Sequence, residues 1–188
     1  MALGVIILAG GGSSRMGSDK ALLDWNGRRA VDRLADLAWN LGAASVVTAG
    51  AGSYGLPIAV EDPPGSGPAA GILAAAETLR PACDRVLVLA VDAPTIIAPD
   101  LTPLLRAPCP GAFFEGLNLP LVADLAALPR EDAVGWAIRR LIQAAGLTGL
   151  TCPAGALGRL RGANSPEQRT ALLNTLIKAE GAQKGGAG

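Results

Sequence analysis

The run Leu3 to Leu8 is apolar throughout rather than alternating, as a strand covered on both faces of a parallel sheet must be. Arg85 to Val91 gives a second and stronger strand signal of the same kind, and it stops at Asp92-Ala93-Pro94. Further segments fill in between. Arg29 to Leu41 repeats apolar residues at helical spacing (Ala30, Leu34, Leu37, Ala38, Leu41), with Gly42 placed to stop it. Ala44 to Ala49 and Pro57 to Val60 read as strands. Pro68 to Leu79 reads as an Ala-rich helix, and Pro99 to Arg106 as a short helix with proline in its first turn. This alternation predicts an α/β, three-layer, Rossmann-like domain with a mainly parallel central sheet. The second half is less regular. Ala112 to Glu115 and Leu119 to Ala123 are expected to form a small β-hairpin around Gly116-Leu117-Asn118, and Ala133 to Ala145 and Pro166 to Ala179 to be helical.

Composition removes several function classes. Hydrophobic residues make up 50% and charged residues 17%, which favours a folded body over disorder. Sixteen basic residues balance sixteen acidic ones, so no nucleic-acid or membrane-surface partner is expected. The chain has no histidine, which excludes His-based zinc sites, Ser-His-Asp triads and Cys-His dyads together. A metal must then be held mainly by oxygen, as Mg²⁺ prefers. Cys83, Cys109 and Cys152 are scattered, with no CxxC pair, as suits a reducing cytoplasm. Met1 to Gly10 reads as a strand rather than a signal peptide, and no run is long enough to cross a bilayer. The expectation is a single cytoplasmic domain over 1–181, followed by a small, polar, flexible tail over 182–188.

Ligands of open α/β sheets bind beyond the carboxyl ends of the strands. Three polar clusters fall at such ends: Gly10 to Lys20, Glu61-Asp62 and Asp92. The first is rich in glycine, which lets backbone N–H groups approach an anion closely, while Arg15 and Lys20 add charged donors. It is not a Walker loop, because Gly17 is followed by Ser18 rather than lysine. Nor is it a dinucleotide fingerprint, because Arg15 stands where the third glycine is needed.

The segment Leu8-Ala9-Gly10-Gly11, with Ser13, Arg15-Met16-Gly17, Asp19-Lys20 and Leu22-Leu23, resembles the signature of molybdenum cofactor guanylyltransferases, which belong to a wider group of nucleotidyltransferases. Later segments are similar in order and spacing. They are Glu61-Asp62 with Gly67-Pro68-Ala69-Ala70-Gly71-Ile72, Val91-Asp92-Ala93-Pro94, and Ala163-Asn164-Ser165-Pro166-Glu167. The resemblance implies a nucleotide-binding half over about 1–107 and an acceptor-binding half over about 108–181. It implies transfer of GMP from GTP to the terminal phosphate of molybdopterin, with Mg²⁺ and release of pyrophosphate. Such chemistry needs alignment and charge neutralisation rather than a histidine base.

The resemblance also implies roles. Lys20, Arg15 and Asp92 would be catalytic: Lys20 at the α-phosphate, Arg15 at the β- and γ-phosphates, and Asp92 as a ligand of Mg²⁺. Gly10, Gly11, Gly12 and Ser13 would form the phosphate grip. Leu8 and Ala9 would wall the base; Asp62, Gly67 and Gly71 would line the base and ribose pocket. Asn164 would help to hold the metal. Cofactor-handling proteins would be transient partners.

The chain departs from the family pattern in its acceptor half. Pro110 to Leu128 is short and apolar, with Glu115 its only charge before Asp124. The cationic candidates for an acceptor phosphate are Arg139, Arg140, Arg159 and Arg161, and Asn118 and Pro120 resemble the family's segment only loosely. The alternatives are the same chemistry with CTP or with a sugar phosphate or cobinamide phosphate as acceptor, or a non-catalytic nucleotide-binding relative.

Overall fold

Successive residues of a strand point to opposite faces, so an unbroken apolar run needs a covering layer on each side. A computed structural model, which describes residues 1–9, 19–50, 52–61, 65–131 and 133–185, supplies both layers. Strand β1 (Leu3–Leu8) sends Val5 and Ile7 toward helices α1 (Ala30–Asn40) and α3 (Ala98–Leu105), and Ile6 and Leu8 toward α2 (Pro68–Leu79) and α4 (Ile138–Ala144). Val5, Ile6 and Ile7 are fully buried. The three-layer α/β prediction is borne out.

Among the described residues seven strands form one sheet. After β1 come β2 (Ser45–Ala49), β3 (Ile58–Val60), β4 (Arg85–Ala90), β5 (Gly111–Phe114), β6 (Leu121–Asp124) and β7 (Thr148–Leu150), in the order β3-β2-β1-β4-β6-β5-β7. β1 pairs in parallel with β2 and β4, β2 with β3, and β5 with β7; β6 runs antiparallel between β4 and β5. The expected hairpin forms, with Ala112 opposite Val122, but as an integral part of the sheet. Gly111 is needed there: its φ is +128°, and a Cβ would lie 2.1 Å from the Val122 carbonyl oxygen.

The strand order places the switch point of the fold. From β1 the chain moves outward to β2 and β3, then returns to the other side of β1 as β4. The chain order thus reverses between β1 and β4, and ligands of open α/β sheets bind outside the carboxyl ends of strands at such a point. The two strands stay in register to their ends, Leu8 beside Ala90, with the Val91 N–H donating to the Leu8 carbonyl at 3.1 Å.

Two expected helices need new bounds, and one unassigned stretch is structured. The helix expected over Ala133 to Ala145 is confined to Ile138–Ala144. Gly135 adopts φ +75° and donates its N–H to the Ser66 carbonyl at 2.7 Å, so the chain turns before it can coil. The stretch after α4, left unassigned from sequence, holds edge strand β7 and the short helix α5 (Leu157–Arg161). The final helix α6 (Pro166–Gly185) continues past Ala179 into the expected tail. Its packing is local: Leu176, with Leu172 and Leu173 beside it, joins Trp25, Ala30 and Ala163 in a small cluster separate from the main core. Among the described residues no helix is long and apolar enough to cross a membrane.

Candidate active site

Asp92 stands just past the end of β4, at the switch point. Its backbone is held by a turn, with the Ala93 N–H donating to the Ala90 carbonyl at 3.0 Å, and by a distant latch, with the Ala163 N–H donating to the Asp92 carbonyl at 2.8 Å. Gly162 makes the latch possible. Its φ of +70° and ψ of −166° lie where glycine alone is at ease, and a Cβ would fall 2.3 Å from the Asp92 carbonyl oxygen. The side chain is largely removed from water. Burial pushes the Asp92 carboxyl above the usual carboxylate range, and the Lys20 ammonium pulls it partly back.

Lys20 opens a single 3-10 turn, Lys20–Leu22, capped by its neighbour: the Asp19 carboxylate accepts the Ala21 N–H at 2.9 Å. From there the Lys20 ammonium donates to Asn164 Oδ1 at 3.2 Å, across 144 residues of sequence. The segment Asn164-Ser165-Pro166 carries a structural and a site role at once. Ser165 caps α6, its Oγ accepting the Gln168 N–H at 3.3 Å, while Gln168 Oε1 accepts the Asn164 N–H at 2.7 Å. Capping thus falls to Ser165, and the Asn164 amide is left to face Lys20.

Lys20, Asp92 and Asn164 line one cavity of about 340 Å³, together with Trp25 and Arg169. A second cavity of about 350 Å³ lies on the other side of Asp92, lined among others by Asn118, Pro120 and Arg161. Asp92 is the wall they share. The other predicted residues are placed as follows. Leu8 and Ala9 are core residues at the end of β1, 7% and 8% exposed, with the Ala9 N–H donating to the Ala49 carbonyl at 2.8 Å. Gly67 sits immediately before α2 with φ +82°, and Gly71 is buried within α2. Gly10, Gly11, Gly12, Ser13, Arg15 and Asp62 lie outside the described residues.

The four candidate acceptor arginines separate. Arg161 lines the second cavity. Arg159 is committed elsewhere: its guanidinium grips Asp100, which is 3% exposed, through two hydrogen bonds of 2.6 and 2.8 Å. Arg140 lies over the Trp136 ring at 3.9 Å, and Arg139 is exposed on the same helix.

Other residues had no assigned role in the sequence. Arg33 joins three parts of the site, donating to the Pro94 carbonyl at 3.3 Å, the Trp25 carbonyl at 3.4 Å and the Glu180 carboxylate at 2.8 Å. It thereby ties the Asp92 turn, the Lys20 segment and α6 to one another. Tyr54 donates its hydroxyl to Asp19 at 2.8 Å. An aspartate just before a turn is a legible capping signal. Arg33 and Tyr54 carry no such signal, because their partners are remote in sequence.

The donors available for a metal are hard oxygens, the Asp92 carboxylate and the Asn164 amide. Among the described residues no three His, Cys, Asp or Glu side chains gather as an all-protein cage. A carboxylate with few protein companions fits Mg²⁺, which keeps several waters and takes substrate phosphates as ligands.

A model of the MobA-like NTP transferase domain matches residues 5–114, more than half of the chain. The chain belongs to the MobA-like NTP transferase family. It is 33% identical over 181 residues to the molybdenum cofactor guanylyltransferase of Xanthomonas euvesicatoria pv. vesicatoria (strain 85-10), covering 90% of this chain and 93% of that one. It is 41% identical over 101 residues to the molybdenum cofactor guanylyltransferase of Sinorhizobium fredii (strain NBRC 101917 / NGR234), covering 47% of this chain and 45% of that one. Molybdopterin-guanine dinucleotide biosynthesis protein A from Archaeoglobus fulgidus superposes with a TM-score of 0.61 at 19% identity, covering 93% of this chain and 99% of that one, a likeness of fold. The family resemblance read from the sequence is borne out.

Proposed function

We propose that this chain transfers GMP from GTP to the terminal phosphate of molybdopterin, releasing pyrophosphate, as a cytoplasmic Mg²⁺-dependent enzyme. One observation carries the reading: Lys20, Asp92 and Asn164, from three distant parts of the sequence, line one cavity at the switch point of the sheet. The names of the two guanylyltransferase relatives support the choice of base and acceptor.

An oxygen of the acceptor phosphate attacks the α-phosphorus of GTP. The new P–O bond forms as the bond from the α-phosphorus to the bridging oxygen breaks, and pyrophosphate leaves with that electron pair. No proton need be removed, because a phosphate is already anionic at neutral pH, so a site without histidine is adequate. Lys20 meets the charge growing around the α-phosphorus from a pose fixed before the reaction, and such preset donors lower a barrier most effectively. Asp92 and Asn164 are the residues that would hold Mg²⁺, which when bound neutralises phosphate charge. Gly10 to Ser13 and Arg15 grip the triphosphate, Asp62, Gly67 and Gly71 line the base and ribose, and Leu8 and Ala9 close the wall behind the base. The acceptor phosphate lies toward the second cavity, with Arg161 as its cation; the share of that cavity in Asp92 supports this arrangement.

The test is nucleotide binding by calorimetry, with GTP, CTP, ATP and UTP compared in the presence of Mg²⁺. GTP is expected to bind most tightly, and a preference for CTP would overturn the choice of base.

A further inference from the structure

We propose that Tyr54 is a positioning residue for the transfer reaction, fixing through Asp19 the turn that presents Lys20 to the cavity beside Asp92. The proposal rests on the role given to Lys20 above.

Tyr54 is the only tyrosine of the chain, and it lies on the connection between β2 and β3, far in sequence from the Lys20 turn. It holds φ +53°, a left-handed conformation uncommon for a residue with a side chain. Such a conformation persists where the surroundings over-determine it. Both ends of Tyr54 are held. Its carbonyl accepts from the Arg29 guanidinium at 3.0 Å, and Arg29 is itself fixed to Asp32 by bonds of 2.6 and 2.7 Å. Its hydroxyl donates to Asp19 Oδ2 at 2.8 Å.

Asp19 then has no slack. Oδ2 takes the phenol, Oδ1 takes the Ala21 N–H at 2.9 Å, and its carbonyl takes the Leu22 N–H at 3.1 Å. Lys20 lies between these anchored neighbours. A lysine side chain has four rotatable carbons and little shape of its own, so its reach depends on where its backbone is held. The ring of Tyr54 packs at the edge of the main core, which leaves the hydroxyl as the part that communicates with Lys20. The phenol is well kept as a donor, since burial and the adjacent carboxylate push its ionisation up to about 12.

The experiment uses the full chain and two variants, Tyr54→Phe and Asp19→Asn. Tyr54→Phe keeps the ring and deletes one hydroxyl. Its kcat for pyrophosphate release is expected to fall by about tenfold with KM for GTP unchanged within about twofold, the pattern of a misplaced group acting in the transition state. A second readout needs no turnover: the NMR signal of isotopically methylated Lys20, assigned by its loss in Lys20→Ala. The signal is expected to move in Tyr54→Phe at a temperature where the variant is fully folded. Asp19→Asn reads the same link from its other end. It should move the Lys20 signal and bring the Tyr54 phenol down toward its ordinary ionisation, and it decides the matter if Tyr54→Phe does not fold.

An unmoved Lys20 signal in both variants overturns the proposal. So does a loss of kcat matched by an equal fall in the folded fraction. If the unaltered chain releases no pyrophosphate while the Lys20 signal still moves, the assigned reaction fails and the positioning link stands.

Discussion

Replacing Gly162 by alanine tests whether the Asp92 latch shapes the site. Two costs add. The backbone lies at φ +70° and ψ −166°, a region essentially reserved for glycine, where another residue costs about 1–3 kcal/mol. The new methyl would also stand 2.3 Å from the Asp92 carbonyl oxygen, 2.6 Å from its carbonyl carbon and 2.9 Å from the Ala93 nitrogen. All three are backbone atoms of a hydrogen-bonded turn, so no side chain can swing away; overpacking of this kind costs about 1–3 kcal/mol. Gly162→Ala should therefore lose roughly 2–6 kcal/mol by urea denaturation, against a typical total of about 5–15 kcal/mol. Relief requires Asp92 to retreat, so turnover per folded molecule should fall as well, by about tenfold or more. Stability is read from the denaturation midpoint at constant slope, and turnover from pyrophosphate release corrected for folded protein. A variant with unaltered midpoint and turnover would refute the argument, because it would mean that the close contact between Gly162 and Asp92 is not part of the native state.

Three further outcomes are expected. Lys20→Ala should retain its Tm and lose about 10²–10³ in kcat, as for removal of one preset donor to a developing anion; full activity would remove Lys20 from the chemistry. Arg159→Met should destabilise the fold by about 3–5 kcal/mol in urea denaturation, because it strands Asp100, which is 3% exposed, as a buried unpaired charge. The single tyrosine makes a clean pH titration. Tyr54 is raised to about 12 in the folded chain by burial and by Asp19, whereas an unfolded tyrosine ionises near about 10. The stabilisation this represents is fully present below about pH 10 and is lost as pH rises through about 12. Phenolate absorbance in the native protein should lag behind that of the denatured chain, and coincident titrations would contradict the Tyr54–Asp19 bond.

The parallel core was legible because its physics is local. An apolar run such as Leu3 to Leu8 has few folded destinations, and Pro68 or Gly42 marks a helix end wherever it occurs. The site was partly legible for the same reason: strand ends are where polar clusters matter, and Asp92, Lys20 and Asn164 do meet. The contributions that escaped depend on partners remote in the chain. Arg33 looks like any arginine on an amphipathic helix until Pro94, Trp25 and Glu180 close around it. Arg159 appeared free to bind an anion because nothing near it in sequence reveals Asp100. Thr148–Leu150 is three residues long and includes glycine, so its strand character comes from β5 beside it rather than from its own propensity. The helix over Ala133 to Ala145 was over-read because periodicity does not report that Gly135 is claimed by the Ser66 carbonyl.

The central claim is that the cavity at Lys20, Asp92 and Asn164 joins GMP to a phosphorylated pterin. Pyrophosphate release from GTP and Mg²⁺, measured with and without molybdopterin, tests it most directly. Release that depends on molybdopterin and falls by about 10²–10³ in Lys20→Ala is the predicted result. GTP binding with no pyrophosphate formed in the presence of molybdopterin would contradict the claim and leave a nucleotide-binding protein without this reaction.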